Sequence, residues 1–157
     1  MHQIKQILIN QIQEMPHFLT RAVQHLSREQ LLQPVEGENL NLLEHLWHVA
    51  DCDSDIYQLR IDRVLREELP HLEGVNVDGW PKDRGYTQRT AEDAITKVAT
   101  CRQQLSELIA PLDEATLHKE GVRFNGKRTN VLELIETLLD HDRDHRWRIA
   151  AMVGKVT

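Results

Sequence analysis

The sequence predicts an all-α fold, a four-helix bundle formed by a single domain over residues 1–157, and three observations carry that prediction. Four stretches repeat apolar residues at three- and four-residue spacing over several turns, the pattern of a helix with one buried face. Most of the proline and glycine falls between those stretches. A chain of 157 residues suffices for one hydrophobic core and is too short for two independently stable ones.

The first stretch carries Ile4, Leu8, Ile12, Met15, Leu19, Ala22, Val23 and Leu26, with a kink expected at Pro16. A polar segment with Pro34, Gly37 and Asn39 separates it from the second, where Leu42, Leu43, Leu46, Val49, Ile56, Leu59 and Val64 define a helix that stops before Pro70. From Pro70 to Arg89 there is no sustained period. Gly74, Gly79, Pro81 and Gly85 mark a long loop, either a packed connection or a cover in which Trp80, Arg84 and Tyr86 meet a substrate. Thr90 with Asp93 reads as an N-cap pair for the third helix, whose stripe of Ala94, Ile95, Val98, Leu105, Leu108 and Ile109 ends at Pro111. A helical turn is expected near Asp113 to Leu117, and Gly121 with Asn125-Gly126 suits a small hairpin between Glu120 and Arg128. Thr129 or Asn130 caps the fourth helix, which buries Val131, Leu134, Ile135, Leu138, Leu139, Ile149 and Met152 and is expected to end at Gly154. Connection lengths alone leave open whether the order is up-down-up-down or contains a crossover.

Charge and composition narrow the function. Lys and Arg total 19 against 25 Asp and Glu, a formal net charge of -6, which argues against a nucleic-acid partner. No apolar run reaches the roughly 18 residues that span a bilayer, and Met1-His2-Gln3-Ile4-Lys5 lacks a signal-peptide core, so no membrane partner and a cytoplasmic location are expected. Cys52 and Cys101 form no CxxC pair and read as small apolar packing residues.

The chemistry concentrates in Asp140-His141-Asp142-Arg143-Asp144-His145 on the fourth helix. Residues four apart share a helix face, so His141 and His145 can aim two imidazoles at one divalent metal. His48, mid-helix in Leu46-Trp47-His48-Val49-Ala50-Asp51, is the candidate third ligand, in a position where a purely structural helix carries an aliphatic residue. Three protein ligands leave a coordination position open for water or substrate, as in catalytic sites. His45 is a second choice for the same ligand position, and otherwise a neighbour on its flank. Asp51 and Asp55 follow on the second helix, while Asp144 and Arg148 flank the pair on the fourth; Asp51 and Asp144 are the candidate catalytic groups. Plainer roles are open to all of them. The chain holds nine histidines, and Asp142, Arg143 and Arg146 fit a solvated, ion-paired face.

The runs Leu43-Glu44-His45-Leu46-Trp47-His48-Val49-Ala50-Asp51, Tyr57-Gln58-Leu59-Arg60 and Gly126-Lys127-Arg128-Thr129-Asn130-Val131, leading to His141-Asp142-x-x-His145, resemble the DinB-like (YfiT-like) superfamily over nearly the whole chain. That resemblance implies a four-helix bundle with a long crossover connection, His48, His141 and His145 as ligands, and a divalent metal, typically zinc or nickel. It also implies a small-molecule substrate and allows a homodimer, but it does not choose the reaction, since members include thiol-dependent S-transferases, a thiol-dependent isomerase and many proteins described as metal-dependent hydrolases. Arg148 departs from the Gln that many members carry three residues after the last ligand, and a cation there attracts an anionic substrate or pairs with Asp144. Two chemistries follow: a metal-activated water that hydrolyses a carbonyl compound, or a thiol cosubstrate used as thiolate, with Asp51 or Asp144 relaying the proton. The competing class is a noncatalytic bundle with a structural, vestigial or absent metal, acting in dimerisation or partner binding, which exposed apolar positions on the first helix would favour.

Overall fold

The structure, a computed structural model, describes residues 2–157. Its elements run α1 (His2–Val23), α2 (Arg28–Leu32), α3 (Leu42–Cys52), a π-helical turn (Asp53–Gln58), α4 (Leu59–Arg66), β1 (His71–Leu72), α5 (Trp80–Asp83), a 3-10 turn (Tyr86–Gln88), α6 (Ala91–Ile109), α7 (Glu114–Leu117), β2 (Glu120–Arg123), β3 (Arg128–Asn130) and α8 (Val131–Val156).

Side chains of the expected kinds start the long helices. Asn41 accepts from the Glu44 amide while Glu44 accepts from the Asn41 amide, a reciprocal capping box that fixes the start of α3. Thr90 accepts from the Asp93 amide at the head of α6. Asn130, rather than Thr129, caps α8 by accepting from the Glu133 amide. Gly154 does not end α8. The helix continues to Val156, which is buried and whose carbonyl accepts from Gln30, so the last turn is held by tertiary packing.

α1 runs through Pro16 as one helix. Proline has no N–H to give the Ile12 carbonyl four residues earlier, and that orphaned acceptor takes a hydrogen bond from Arg102 of α6 at 2.9 Å. The head of α1 departs from the expected stripe: Ile4 is exposed, as is Ile7, and burial begins at Leu8.

The second helix is a continuous rod from Leu42 to Arg66 with a π-helical turn in its middle. A π turn holds an extra residue, so it rotates everything after it relative to a regular helix. The expected stripe through Ile56 and Leu59 shifts accordingly: Leu59 is 51 % exposed, while Tyr57, Ile61 and Val64 face the core.

α1 and α3 each pack against α6 and α8, so α1 and α3 stand diagonally opposed, as do α6 and α8. The connections from α1 to α3 and from α6 to α8 therefore cross the bundle, an arrangement distinct from a simple up-down-up-down circuit. The hairpin expected from Asn125-Gly126 is present, with Gly121 opposite Thr129, Val122 opposite Arg128 and Gly126 at φ +81°. β1 joins it in parallel beside β2, a strand pairing the sequence pattern does not signal. No helix among the described residues is long and apolar enough to cross a membrane.

The apolar core falls into two clusters. One contains Leu19, Leu46, Val98 and Ile149, the other Ile12, Ile61, Leu105 and Leu134. Along each long helix the change from one cluster to the other occurs at mid-height. There α8 carries His141, Asp142 and His145, and α6 carries Arg102. A polar layer thus divides the core.

Candidate metal centre

Half of that layer is an ion-pair cluster. Arg102, 1 % exposed, uses all five of its N–H groups: two on Asp53, two on Asp142 and one on the Ile12 carbonyl. Asp142 is therefore a buried partner of α6, not part of a solvated face. Asp53, the first residue of the π turn, is anchored from the same guanidinium.

The other half gathers imidazoles. α3 delivers His45 and His48, and α8 delivers His141 and His145. The ring of His145 lies 4.3 Å from that of His141 and 4.7 Å from that of His48, centroid to centroid. The Nε2 atoms of His48 and His141 stand 3.4 Å apart. His45 Nδ1 meets His145 Nδ1 at 3.1 Å. The rings of His48, His141 and His145 stand together with that of His45, but among the described residues the trio of ligand atoms within 4.8 Å of one another draws on His48 and His141 and not on His145.

These imidazoles are held neutral. Burial first, and then the neighbouring His48 and Arg102, push His141 down to about 4. Burial, then His141 and His48, push His145 down to about 2. His48 and His45 also lie below the ordinary histidine value, burial being the largest cause in each. Neutral imidazole is the form that binds a metal. Nδ1 of His141 is buried and meets no hydrogen-bond partner among the described residues, and an ion held at the opposite nitrogen would leave it so. The 3.4 Å between the two Nε2 atoms also fits a shared ion, because two Zn–N bonds of about 2.1 Å at a tetrahedral angle span about 3.4 Å. The donor set fits a divalent metal.

Cys52 belongs to the same neighbourhood. One ligand atom each from His48, Cys52 and His141 lie within 4.8 Å of one another, and the sulfur is 3.6 Å from His48 Nε2. The thiol is buried, and burial, followed by the carboxylates of Asp53, Asp51 and Asp55, pushes it up to about 12. It is a neutral thiol beside the imidazoles. The i, i+4 spacing from His48 to Cys52 was available in the sequence as the signal for this contact.

Asp51 and Asp144 occupy different settings. Asp51 is buried and accepts from Lys97, Arg84 and Tyr86 at 2.6, 2.8 and 2.8 Å. Burial pushes its carboxyl up, but those three hydrogen bonds outweigh it and hold the group below the usual carboxylate value. Asp144 is exposed at the rim and pairs with Arg148 at 3.2 Å, one of the two roles open to that arginine. Arg84 also reaches Asp55 and stacks 3.7 Å over the Trp80 ring, and Tyr86 is fully buried. Trp80, Arg84 and Tyr86 thus fasten the long loop to the bundle. Other residues of the same loop, Val77, Asp78, Pro81, Lys82 and Thr87, face a cavity of about 850 Å³ whose bundle side carries His45, His48, His145, Asp144 and Arg148. That volume is of the size that takes a small molecule.

The structure defines a class, four-helix bundles in which neutral histidines from two helices, set beside a cleft, could hold a metal ion. The sequence matches the DinB superfamily over residues 11–149, and the chain belongs to that superfamily. The fold is similar to that of YfiT from Bacillus subtilis, described as a probable metal-dependent hydrolase with an unusual four-helix bundle topology, at a TM-score of 0.88 and 16 % identity, covering 96 % of this chain and 86 % of that one. No protein of curated function matches the sequence.

Proposed function

We propose that this protein is a divalent-metal-dependent hydrolase acting on a small molecule in the cavity beside α3 and α8. His48, His141 and His145 would hold the metal, with zinc or nickel among the ions that suit imidazole donors. The observation that carries this reading is the gathering of neutral imidazoles from two helices, with His48 and His145 facing the cavity. When bound, such an ion supplies Lewis acidity, polarising a carbonyl and acidifying a coordinated water or thiol. The chain's own residues do the rest. The cavity walls combine apolar surface from Leu40, Val77 and Pro81 with charge from Lys82, Asp144 and Arg148, which suits an amphiphilic substrate of modest size. Asp144 is the carboxylate on the cavity rim, available to take a proton from the reacting group, while Asp51 holds the loop that forms the opposite wall.

A second reading is favoured by Cys52 and by the exposed Ile4 and Ile7. With the thiol as a fourth protein ligand the site would be closed and structural, and the apolar head of α1 would serve partner binding or dimerisation. Metal content and cobalt spectra separate the two. Untagged protein is expected to carry close to one divalent ion per chain, lost in His48→Ala, His141→Ala and His145→Ala, with a cobalt-loaded spectrum free of thiolate charge-transfer bands. A strong thiolate band that vanishes in Cys52→Ser supports the closed site; a native chain that takes no metal on reconstitution overturns the hydrolase and the closed metal site and leaves a noncatalytic bundle without metal. Turnover that requires an added thiol replaces hydrolysis by thiol-dependent transfer at the same residues.

A further inference from the structure

His45 and Glu38 lie outside the three-histidine set, and their geometry fixes which nitrogen of His145 is bare. Two imidazole nitrogens 3.1 Å apart can share only one proton, so one Nδ1 donates and the other accepts. The carboxylate of Glu38 stands 3.7 Å from the far nitrogen of His45, Nε2, which has no closer polar partner among the described residues. A carboxylate favours a proton on the nitrogen it faces and disfavours a lone pair there. With the proton on Nε2, neutral His45 has a bare Nδ1 and is the acceptor. His145 is then the donor through Nδ1–H, and its Nε2 carries the lone pair. In the opposite arrangement the His45 lone pair faces a carboxylate and His145 is protonated at Nε2, unable to bind a metal there. Arg148 holds Glu38 in position, its guanidinium lying 3.7 Å from the same carboxylate.

We infer that Glu38 and His45 are positioning residues that lock His145 in the tautomer with a bare Nε2 and so set the metal affinity of the site. The inference rests on the reading of His145 as a ligand, although the tautomer itself is a property of the metal-free protein. His45 is 2 % exposed and His145 7 %, so water does not compete for the contact. Ligating histidines oriented by a partner on the second nitrogen typically lose 10- to 100-fold in metal affinity when that partner is removed.

The test uses the full chain. Two-bond proton–nitrogen NMR of the metal-free protein is expected to show His145 protonated at Nδ1, with a shift toward the Nε2-protonated form in Glu38→Leu. His145 protonated at Nε2 in the native chain overturns the inference whether or not any metal binds. Zinc affinity by chelator competition is expected to fall about 10- to 100-fold in His45→Leu and to recover in His45→Asn, whose amide oxygen can accept from the same Nδ1–H. Unchanged affinity in His45→Leu, or an equal loss in both variants, overturns it. If native protein and His48→Ala both fail to take zinc, the metal reading has failed, and the NMR result still decides the tautomer.

Discussion

Asp51 shows how much of this protein rests on single carboxylates. Its two oxygens take three hydrogen bonds from α6 and from the loop, so they fasten the cavity's outer wall to α3. Because its folded pKa lies below the ordinary value, the native state favours the ionised form relative to the unfolded chain. The sign follows: this stabilisation is present above about pH 4, where the unfolded group is ionised, and is lost as pH falls through the lower folded value. Urea unfolding of wild type and Asp51→Asn should show the variant less stable at neutral pH and the two converging in acid. A gap that widens below pH 4 would contradict the assignment. The same side chain was legible in the sequence only as a carboxylate three residues after His48, since its donors arrive from 33 or more positions away along the chain.

At the scale of the element, the π turn and the buried Arg102 belong together. Asp53 opens the π turn, Asp142 sits between the two α8 histidines, and Arg102 joins them while filling the acceptor left by Pro16. Arg102→Met should therefore cost about 3–5 kcal/mol by leaving two carboxylates buried without a counter-charge. A loss under 1 kcal/mol in the denaturant midpoint would show that the cluster is not a stabilising hub. Gly126→Ala, which forces a side chain onto the left-handed backbone of the hairpin, should cost about 1–2 kcal/mol at constant helix content. The helices and their caps could be read from spacing because those signals are local. The π turn could not, since its register shift is a tertiary effect. Yet a trace of the polar layer was present: Arg102 follows Val98 by four and precedes Leu105 by three, and Asp142 and His145 continue the stripe from Leu138 to Ile149. Polar residues on an apolar stripe mark buried partners, and here they interrupt α6 and α8 at one height.

For the whole molecule, the diagonal placement of consecutive helices was beyond a periodicity argument, because amphipathic stripes say which face is buried and not which neighbour buries it. The division of the core has a consequence for stability. Two aliphatic clusters flank the polar layer, and Arg102 binds three of its helical elements together without any metal. The bundle should thus fold when metal-free, and a bound ion should add linkage stabilisation alone. An ion at 100 times its dissociation constant contributes about 2.7 kcal/mol. For a chain of this size each kcal/mol moves the melting temperature by roughly 2–4 °C. Stripping the metal with a chelator should accordingly lower Tm by roughly 5–10 °C while far-UV helicity at 25 °C stays unchanged, and His145→Ala should melt at the same temperature with or without added ion. Loss of helicity on chelation would instead mean that the metal is part of the fold, because only an ion required for packing removes the helices when it leaves.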